Sequence, residues 1–343
     1  LYTNHDLRIQ RCVGILDSQV DHSVGHAPST APAMRQATPM LVVVGGFDGS
    51  DDLTSVEVCS PSPGHPSTWN VAAGGMRTVR SAAGTAVSGG RVYVAGGSCG
   101  SASHSAVESF AVLCADVGTY CEWRHEPSMA VARMAMSLTA TSDGSLWATG
   151  GYVHDSGGSL ATVERLTPGA AAWEALPEMK SARCSFGAVE SGGAVLAFGG
   201  YGATDALAAC ESCDPRTATW SPLPPMSQRR SCLTAAPVGQ HRVLVCGGHD
   251  GTKALALAEI FDQRANKWEV VPEMPTARSG PAAVADGKGR VWVLGGYPDG
   301  TAAGASARAL HTSEVWDNHA FTWSTDADMQ RGRTGAGAVT LHV

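Results

Sequence analysis

The segment that decides the fold runs from Val243 to Arg278. It reads Val243-Leu244-Val245-Cys246-Gly247-Gly248, then Ala258-Glu259-Ile260-Phe261-Asp262, then Trp268, Pro272, Met274 and Arg278. A short apolar run rich in β-branched residues and closed by a glycine pair reads as a buried strand ending in a tight turn, where positive φ is cheap only for glycine. The second run, about eleven residues on, carries a single Glu, and a third surrounds the Trp. The residues after the Arg are small, Ser279-Gly280-Pro281-Ala282-Ala283.

The same order occurs six times. The glycine pairs are Gly45-Gly46, Gly96-Gly97, Gly150-Gly151, Gly199-Gly200, Gly247-Gly248 and Gly295-Gly296, spaced 48 to 54 residues apart. The Glu set is Glu57, Glu108, Glu164, Glu211, Glu259 and Glu314. The later members are Trp123, Met129, Arg133; Trp173, Met179, Arg183; Trp220, Met226, Arg230; Trp268, Met274, Arg278; Trp323, Met329, Arg333; with Trp69, Met76, Arg80 one residue out of register. Self-similarity at this period marks a repeat architecture. Four strands per repeat, with small residues in the strand after each Arg, suit strands crowded around an axis. The expected fold is all-β: a six-bladed β-propeller with four antiparallel strands per blade.

The ends carry the topology. The last repeat stops after its small-residue strand at Leu341-His342-Val343, whereas the first opens with Leu41-Val42-Val43-Val44-Gly45-Gly46. The C-terminal strand therefore pairs with the N-terminal one as the innermost strand of a shared blade, closing the ring and removing exposed edges. Residues 39–343 form the propeller and residues 1–38, rich in Pro, Ala, Ser and Thr from His22 on, a lead-in or linker segment. The chain begins at Leu1 rather than Met, which reads as a piece of a longer or processed chain.

Composition fits. The chain has 343 residues, 43% of them hydrophobic and 16% charged, with 41 glycines, so apolar surface for a large core is ample. A net charge of −7 without a Lys/Arg cluster argues against nucleic acid. No apolar run is long enough to span a bilayer, so no membrane is expected. Ten cysteines without framework spacing, and no Asn-x-Ser/Thr site, favour a reducing, cytoplasmic setting. Cys210-x-x-Cys213 has the spacing of a metal or redox pair, but a strand points the two thiols to opposite faces, and no second pair or nearby His completes a site. Phosphate-loop, His-Glu-x-x-His, Gly-x-Ser-x-Gly and calcium-loop patterns are missing. The expectation is no enzyme, no cofactor and no metal.

Gly-Gly, Glu, Trp, Pro-x-Met and Arg in this order resembles the kelch repeat over roughly residues 40–343. Gly45-Gly46-Phe47-Asp48-Gly49 and Gly295-Gly296-Tyr297-Pro298-Asp299-Gly300 look most like kelch domains of BTB-kelch ubiquitin-ligase substrate adaptors. That resemblance implies a protein-interaction module that binds a partner peptide or protein at one mouth of the ring; in that family an upstream BTB domain, not present in this sequence, joins the propeller to a cullin scaffold. It further implies contacts from the residue after each Gly-Gly, here Phe47, Ser98, Tyr152, Tyr201, His249 and Tyr297. Contacts from the residue after each repeated Arg would be Ser81, Met134, Cys184, Ser231, Ser279 and Thr334. Aromatic and hydroxyl groups of this kind stack on and hydrogen-bond an extended peptide. Adaptors for acidic peptides bring arginines to this face, and this set has none. Nearby loops carry Asp48, Asp51, Asp52, Asp155, Asp205, Asp250 and Asp299, so the expected partner is neutral or basic, and the propeller itself monomeric. The alternatives are a kelch-type enzyme, a sugar mutarotase or copper oxidase, and an actin-associated scaffold.

The repeated Trp, Met and Arg recur in every blade, which assigns them to structure: Trp to packing between blades, Arg to pairing with the repeated Glu.

Overall fold

The computed structural model describes residues 38–61, 67–115, 118–154, 157–298 and 308–342. The lead-in expected over residues 1–38 lies, apart from Thr38, outside the described residues. Six four-stranded antiparallel sheets form the blades of a β-propeller. From the axis outward, blade 1 consists of Gly337–His342, Pro39–Val44, Val56–Cys59 and Trp69–Ala72, so the chain ends share a sheet as expected. Blade 2 consists of Gly84–Ser88, Arg91–Ala95, Val107–Ala115 and Gly118–Glu126; blade 3 of Ser137–Ala140, Leu146–Thr149, Val163–Leu166 and Glu174–Leu176. Blade 4 consists of Gly187–Ser191, Ala194–Phe198, Cys210–Asp214 and Thr219–Leu223. Blade 5 consists of Thr234–Pro237, Arg242–Cys246, Ala258–Asp262 and Lys267–Val270; blade 6 of Ala282–Ala285, Arg290–Leu294, Ser313–Asp317 and Thr322–Asp326. The core lies between adjacent sheets, where the fully buried second strands, such as Leu41 to Val43, meet their neighbours.

Each repeated residue has a definable task. The indole N–H groups of Trp123, Trp173, Trp268 and Trp323 donate across to the preceding blade, to the carbonyls of Gly74, Pro127, Pro224 and Pro272 at 2.7 to 2.9 Å. These acceptors each lie two residues before a repeated Met, which explains why Pro-x-Met and Trp travel together. Both residues of every glycine pair have positive φ. A Cβ on Gly200 would lie 2.6 Å from the Cys184 carbonyl oxygen, so both the dihedral and the space exclude a side chain there.

The Glu–Arg pairing is present in all six blades, with N···O distances of 2.6 to 2.9 Å and both side chains almost wholly buried. Arg183 is representative. It donates to the carbonyls of Gly199 (2.7 Å) and Ala209 (2.9 Å) and to Glu211 (2.6 Å). Glu211 in turn accepts the peptide N–H groups of Lys180 and Ser181, so each pair fastens the segment arriving from the preceding blade. The last pair, Arg333 with Glu57, fastens the C-terminal segment to blade 1. Blade 6 departs from the pattern. Pro275 sits where the other blades supply the N–H after the repeated Met, and proline has none. Among the described residues Glu314 Oε2 is accordingly buried without a partner.

A feature without a glycine signature surrounds the axis. The residue two after each repeated Arg adopts left-handed φ: Ala82 (50°), Ala135 (51°), Ser185 (50°), Cys232 (51°), Gly280 (67°) and Gly335 (56°). Their backbones form a closed circle of hydrogen bonds, Ala135 donating to Ala82, Ser185 to Ala135, Cys232 to Ser185, Gly280 to Cys232, Gly335 to Gly280 and Ala82 to Gly335, at 2.7 to 3.0 Å. Left-handed backbone disfavours a Cβ by about 1–2 kcal/mol, and the circle holds four non-glycine residues in it. Ala135→Gly relieves that strain without touching the hydrogen bonds. It is expected to stabilise the fold by up to about 1 kcal/mol, less the entropy a glycine adds to the unfolded chain. A urea midpoint at or below the wild-type value would show that the ring carries no strain.

Candidate functional site

The inner strands run from one face of the ring, where each repeated Arg enters, to turns such as Gly89-Gly90 on the other, and the second strands return to the glycine pairs. The residue after each Arg and the residue after each glycine pair therefore meet at the same mouth. They do so in couples, as one antiparallel bridge per blade: Phe47 with Thr334, Ser81 with Ser98, Met134 with Tyr152, Cys184 with Tyr201, Ser231 with His249, and Ser279 with Tyr297. The structure thus gathers all twelve positions named from the sequence around the axis. They surround an axial cavity of about 340 Å³, whose wall includes Phe47, Ser81 and Thr334 together with the left-handed circle.

Exposure sorts the twelve. Tyr201 is the most open at 42%, and its hydroxyl donates to the Thr204 carbonyl at 3.0 Å. Phe47, Tyr152, His249 and Tyr297 are half-buried, whereas Ser98, Cys184 and Ser231 are buried. His249 Nδ1 accepts the Gly251 N–H at 3.0 Å, which leaves the ring proton on Nε2. Burial, and then the nearby Asp48 carboxylate, push the Tyr297 phenol up. The Cys184 thiol is also pushed up by burial, and its sulfur accepts the Ser159 hydroxyl at 3.4 Å. Such a thiol is a packing group rather than a nucleophile.

Of the five mouth aspartates described, Asp48 and Asp250 shape their own loops, and Asp52 and Asp205 reach to neighbouring segments. Asp48 Oδ1 accepts the N–H groups of Ser50 and Asp51, and Asp250 Oδ1 those of Thr252 and Lys253 together with the Thr252 hydroxyl. The Thr252 bonds hold the Asp250 carboxyl well below the usual carboxylate range. Asp52 accepts the Gly100 N–H, and Asp205 pairs with Arg229. Asp155 and Asp299 lie outside the described residues.

Two groups at this face were not found by counting from the repeat. Arg229 and Arg331, each more than half exposed, sit beside Asp205 and Asp48; the Arg331–Asp48 separation is 3.9 Å. Arg229 lies one residue and Arg331 two residues before a repeated Arg, positions the two offset rules do not sample. The mouth therefore carries cations, and these two are each opposed by an aspartate of the neighbouring loop.

The Cys210/Cys213 spacing builds no site. Cys210 packs toward blade 5 beside Met226 and Val243, and Cys213 toward blade 3 beside Trp147 and Val163. Burial pushes their thiols up to about 11 and about 12, respectively. Among the described residues no group of three or more His, Cys, Asp or Glu side chains could hold a metal ion, and no helix is long and apolar enough to cross a membrane.

The family described as Kelch motif matches residues 80–111, 182–227 and 230–275. No curated protein matches the chain. The matched stretches open at or just before Arg80, Arg183 and Arg230, so each motif holds an Arg together with the Glu it pairs. Kelch motifs thus lie in blades 2, 4 and 5 of the six-bladed ring, which supports a kelch-repeat propeller, a fold commonly used for protein interaction.

Proposed function

We propose that this propeller is a protein-interaction module that binds a neutral or basic segment of a protein partner at the mouth formed by its six bridged couples, as the substrate-reading part of a ubiquitin-ligase adaptor. The observation that carries the reading is the convergence of all twelve positions on one face. That face offers Phe47, Tyr152, Tyr201, His249 and Tyr297 as flat contact area, the residue types that dominate binding energy at interfaces. Arg229 and Arg331 are already opposed by aspartates, and among the twelve bridged positions there is no Lys or Arg for an acidic segment. A cytoplasmic setting is supported by the eight described cysteines that stand as free thiols. The propeller acts as a monomer, with its blade edges left to solvent.

The wall of the axial cavity bears on the enzyme alternative. It is built from Gly, Ala, Ser, Thr, Cys and apolar side chains, with no Asp, Glu, Lys, Arg or His among them. General acid–base work on a sugar and ligation of a catalytic copper both need such groups at the reacting atom.

The test is affinity capture from a cell extract with the wild-type propeller and with the Tyr152→Ala/Tyr201→Ala/Tyr297→Ala variant. These side chains are not in the interblade core, so the variant is expected to melt within about 2–4 °C of the wild type and to lose at least tenfold in partner recovery. Undiminished recovery by the folded variant would move the binding surface elsewhere.

A further inference from the structure

One position in the six loops that follow the glycine pairs, buried or half-buried in each, breaks its own pattern in blade 2. Four residues before each repeated Glu stands Leu53, Leu160, Leu207, Leu255 or Leu310, but in blade 2 it is His104. The backbone setting is the same in every blade. His104 N–H donates to the Gly97 carbonyl at 2.8 Å, as the leucines donate to their own second glycines, and its carbonyl accepts the N–H of Arg133 at 3.0 Å. Its side chain is held inward, with Nε2 buried and without a partner among the described residues. An imidazole thus occupies a site built for an alkyl group.

The charged groups that face it are Arg80, Glu108 and Asp52. Arg80 and Glu108 are the buried pair of blade 2, 2.9 Å apart, and Asp52 is held toward Gly100. Glu108 is already matched by Arg80, and Asp52 is turned to the Gly100 N–H, so neither carboxylate bonds the buried Nε2. Blade 2 is also the blade whose mouth residue is Ser98 instead of an aromatic or a histidine. Between Ser98 and His104 lies only the small hairpin of Ser98–Cys99 with Ala102–Ser103, its tip exposed.

We propose that His104 makes the mouth acid-sensitive: protonation expels the imidazole from its leucine-like site and frees the Ser98–Ser103 hairpin, weakening partner binding at blade 2. The link to binding rests on the reading of the mouth as the partner surface; the release of the hairpin does not. Burial, and then Arg80, hold the imidazole below its ordinary range against the opposing pull of Asp52 and Glu108. The sign follows. Below about pH 6.5 the unfolded chain takes up a proton that the folded imidazole resists, so stability is present above that pH and falls as pH falls, until the folded group protonates too.

Melting curves of the wild type, His104→Leu and His104→Asn between pH 7.5 and 5.5 test the release, with exchange rates of the Ser98 and His104 amides. The wild type is expected to lose about 2–4 °C more over this range than either variant, and its two amides to exchange faster at pH 5.5 after correction for intrinsic rates. His104→Leu, which restores the residue of the other five blades, should melt no lower than the wild type at pH 7.5. Equal pH slopes in all three proteins, or a His104→Leu variant that melts lower at every pH, would overturn the proposal. Neither result touches the mouth reading. If the hairpin opens as expected but the captured partner stays bound to the wild type at pH 5.5, the coupling to binding is overturned.

Discussion

Arg183→Met is expected to destabilise the propeller by about 3–5 kcal/mol. The guanidinium is 0% exposed and its partner Glu211 3% exposed. Removing Arg183 strands a carboxylate in the interior, orphans the carbonyl of Gly199 and leaves the carbonyl of Ala209 with the Gly199 N–H alone. Methionine fills part of the volume, so the loss is of charge and hydrogen bonds more than of packing. The double variant Arg183→Met/Glu211→Leu separates these effects. Replacing both partners removes the stranded charge and should recover a large part of the loss. Urea unfolding of the three proteins measures it. An unchanged midpoint for the single variant would mean that the buried pair has no structural role.

Deleting residues 334–343 is expected to abolish folding at ordinary temperatures. The deletion removes the strand Gly337–His342, which pairs with Pro39–Val44 along its whole length. It also takes Gly335 and its two bonds out of the left-handed circle. Pro39–Val44, whose every residue is buried, would become an open apolar edge, the arrangement that invites aggregation. Other ties cross the same seam. Asp326 accepts the Ser67 N–H at 3.1 Å and the Ser67 hydroxyl at 2.7 Å, and the Gln330 amide donates to the Trp69 carbonyl at 3.1 Å. These polar contacts survive the deletion, yet they cover none of the exposed strand. Burial of Val339 and Leu341 alone contributes about 1.5–3 kcal/mol each, set against a net stability of only about 5–15 kcal/mol for a whole domain. A truncated chain that stays soluble and melts at the wild-type temperature would refute closure by the terminal strand. Adding back a peptide of residues 334–343 should restore cooperative melting.

The architecture was legible because its causes are periodic. Gly-Gly, Trp and Pro-x-Met each serve one contact that recurs in blade after blade, and the missing seventh glycine pair located the seam. The Glu–Arg pairing was legible for the same reason, since a charge that recurs in every repeat must be matched inside each. The left-handed circle was not, because Ala82, Ala135, Ser185 and Cys232 reach that conformation through hydrogen bonds from the neighbouring blade rather than through any local preference. The long hairpin of blade 2, whose outer strand also bonds to Ala73 of blade 1, escaped notice too, since Ala111 to Tyr120 departs from the repeat. Of the mouth, the offsets located the twelve bridged positions but not which side chains stay open. Cys184 and Ser231 are covered because the same backbone site is packed differently from blade to blade. Arg229 and Arg331 belong to no repeated column, so superposing the copies could not reveal them.

On the function we propose, repeated positions build the ring and the couples at one mouth take the partner. Hydrogen–deuterium exchange of the propeller alone and with its captured partner tests it most directly. Protection is expected in the segments around Phe47, Ser81, Ser98, Met134, Tyr152, Tyr201, His249 and Tyr297, with no change at the opposite turns Gly89-Gly90, Gly192-Gly193 and Gly287-Lys288-Gly289. Protection of those turns or of the outer strands, with the mouth unaltered, would contradict the account.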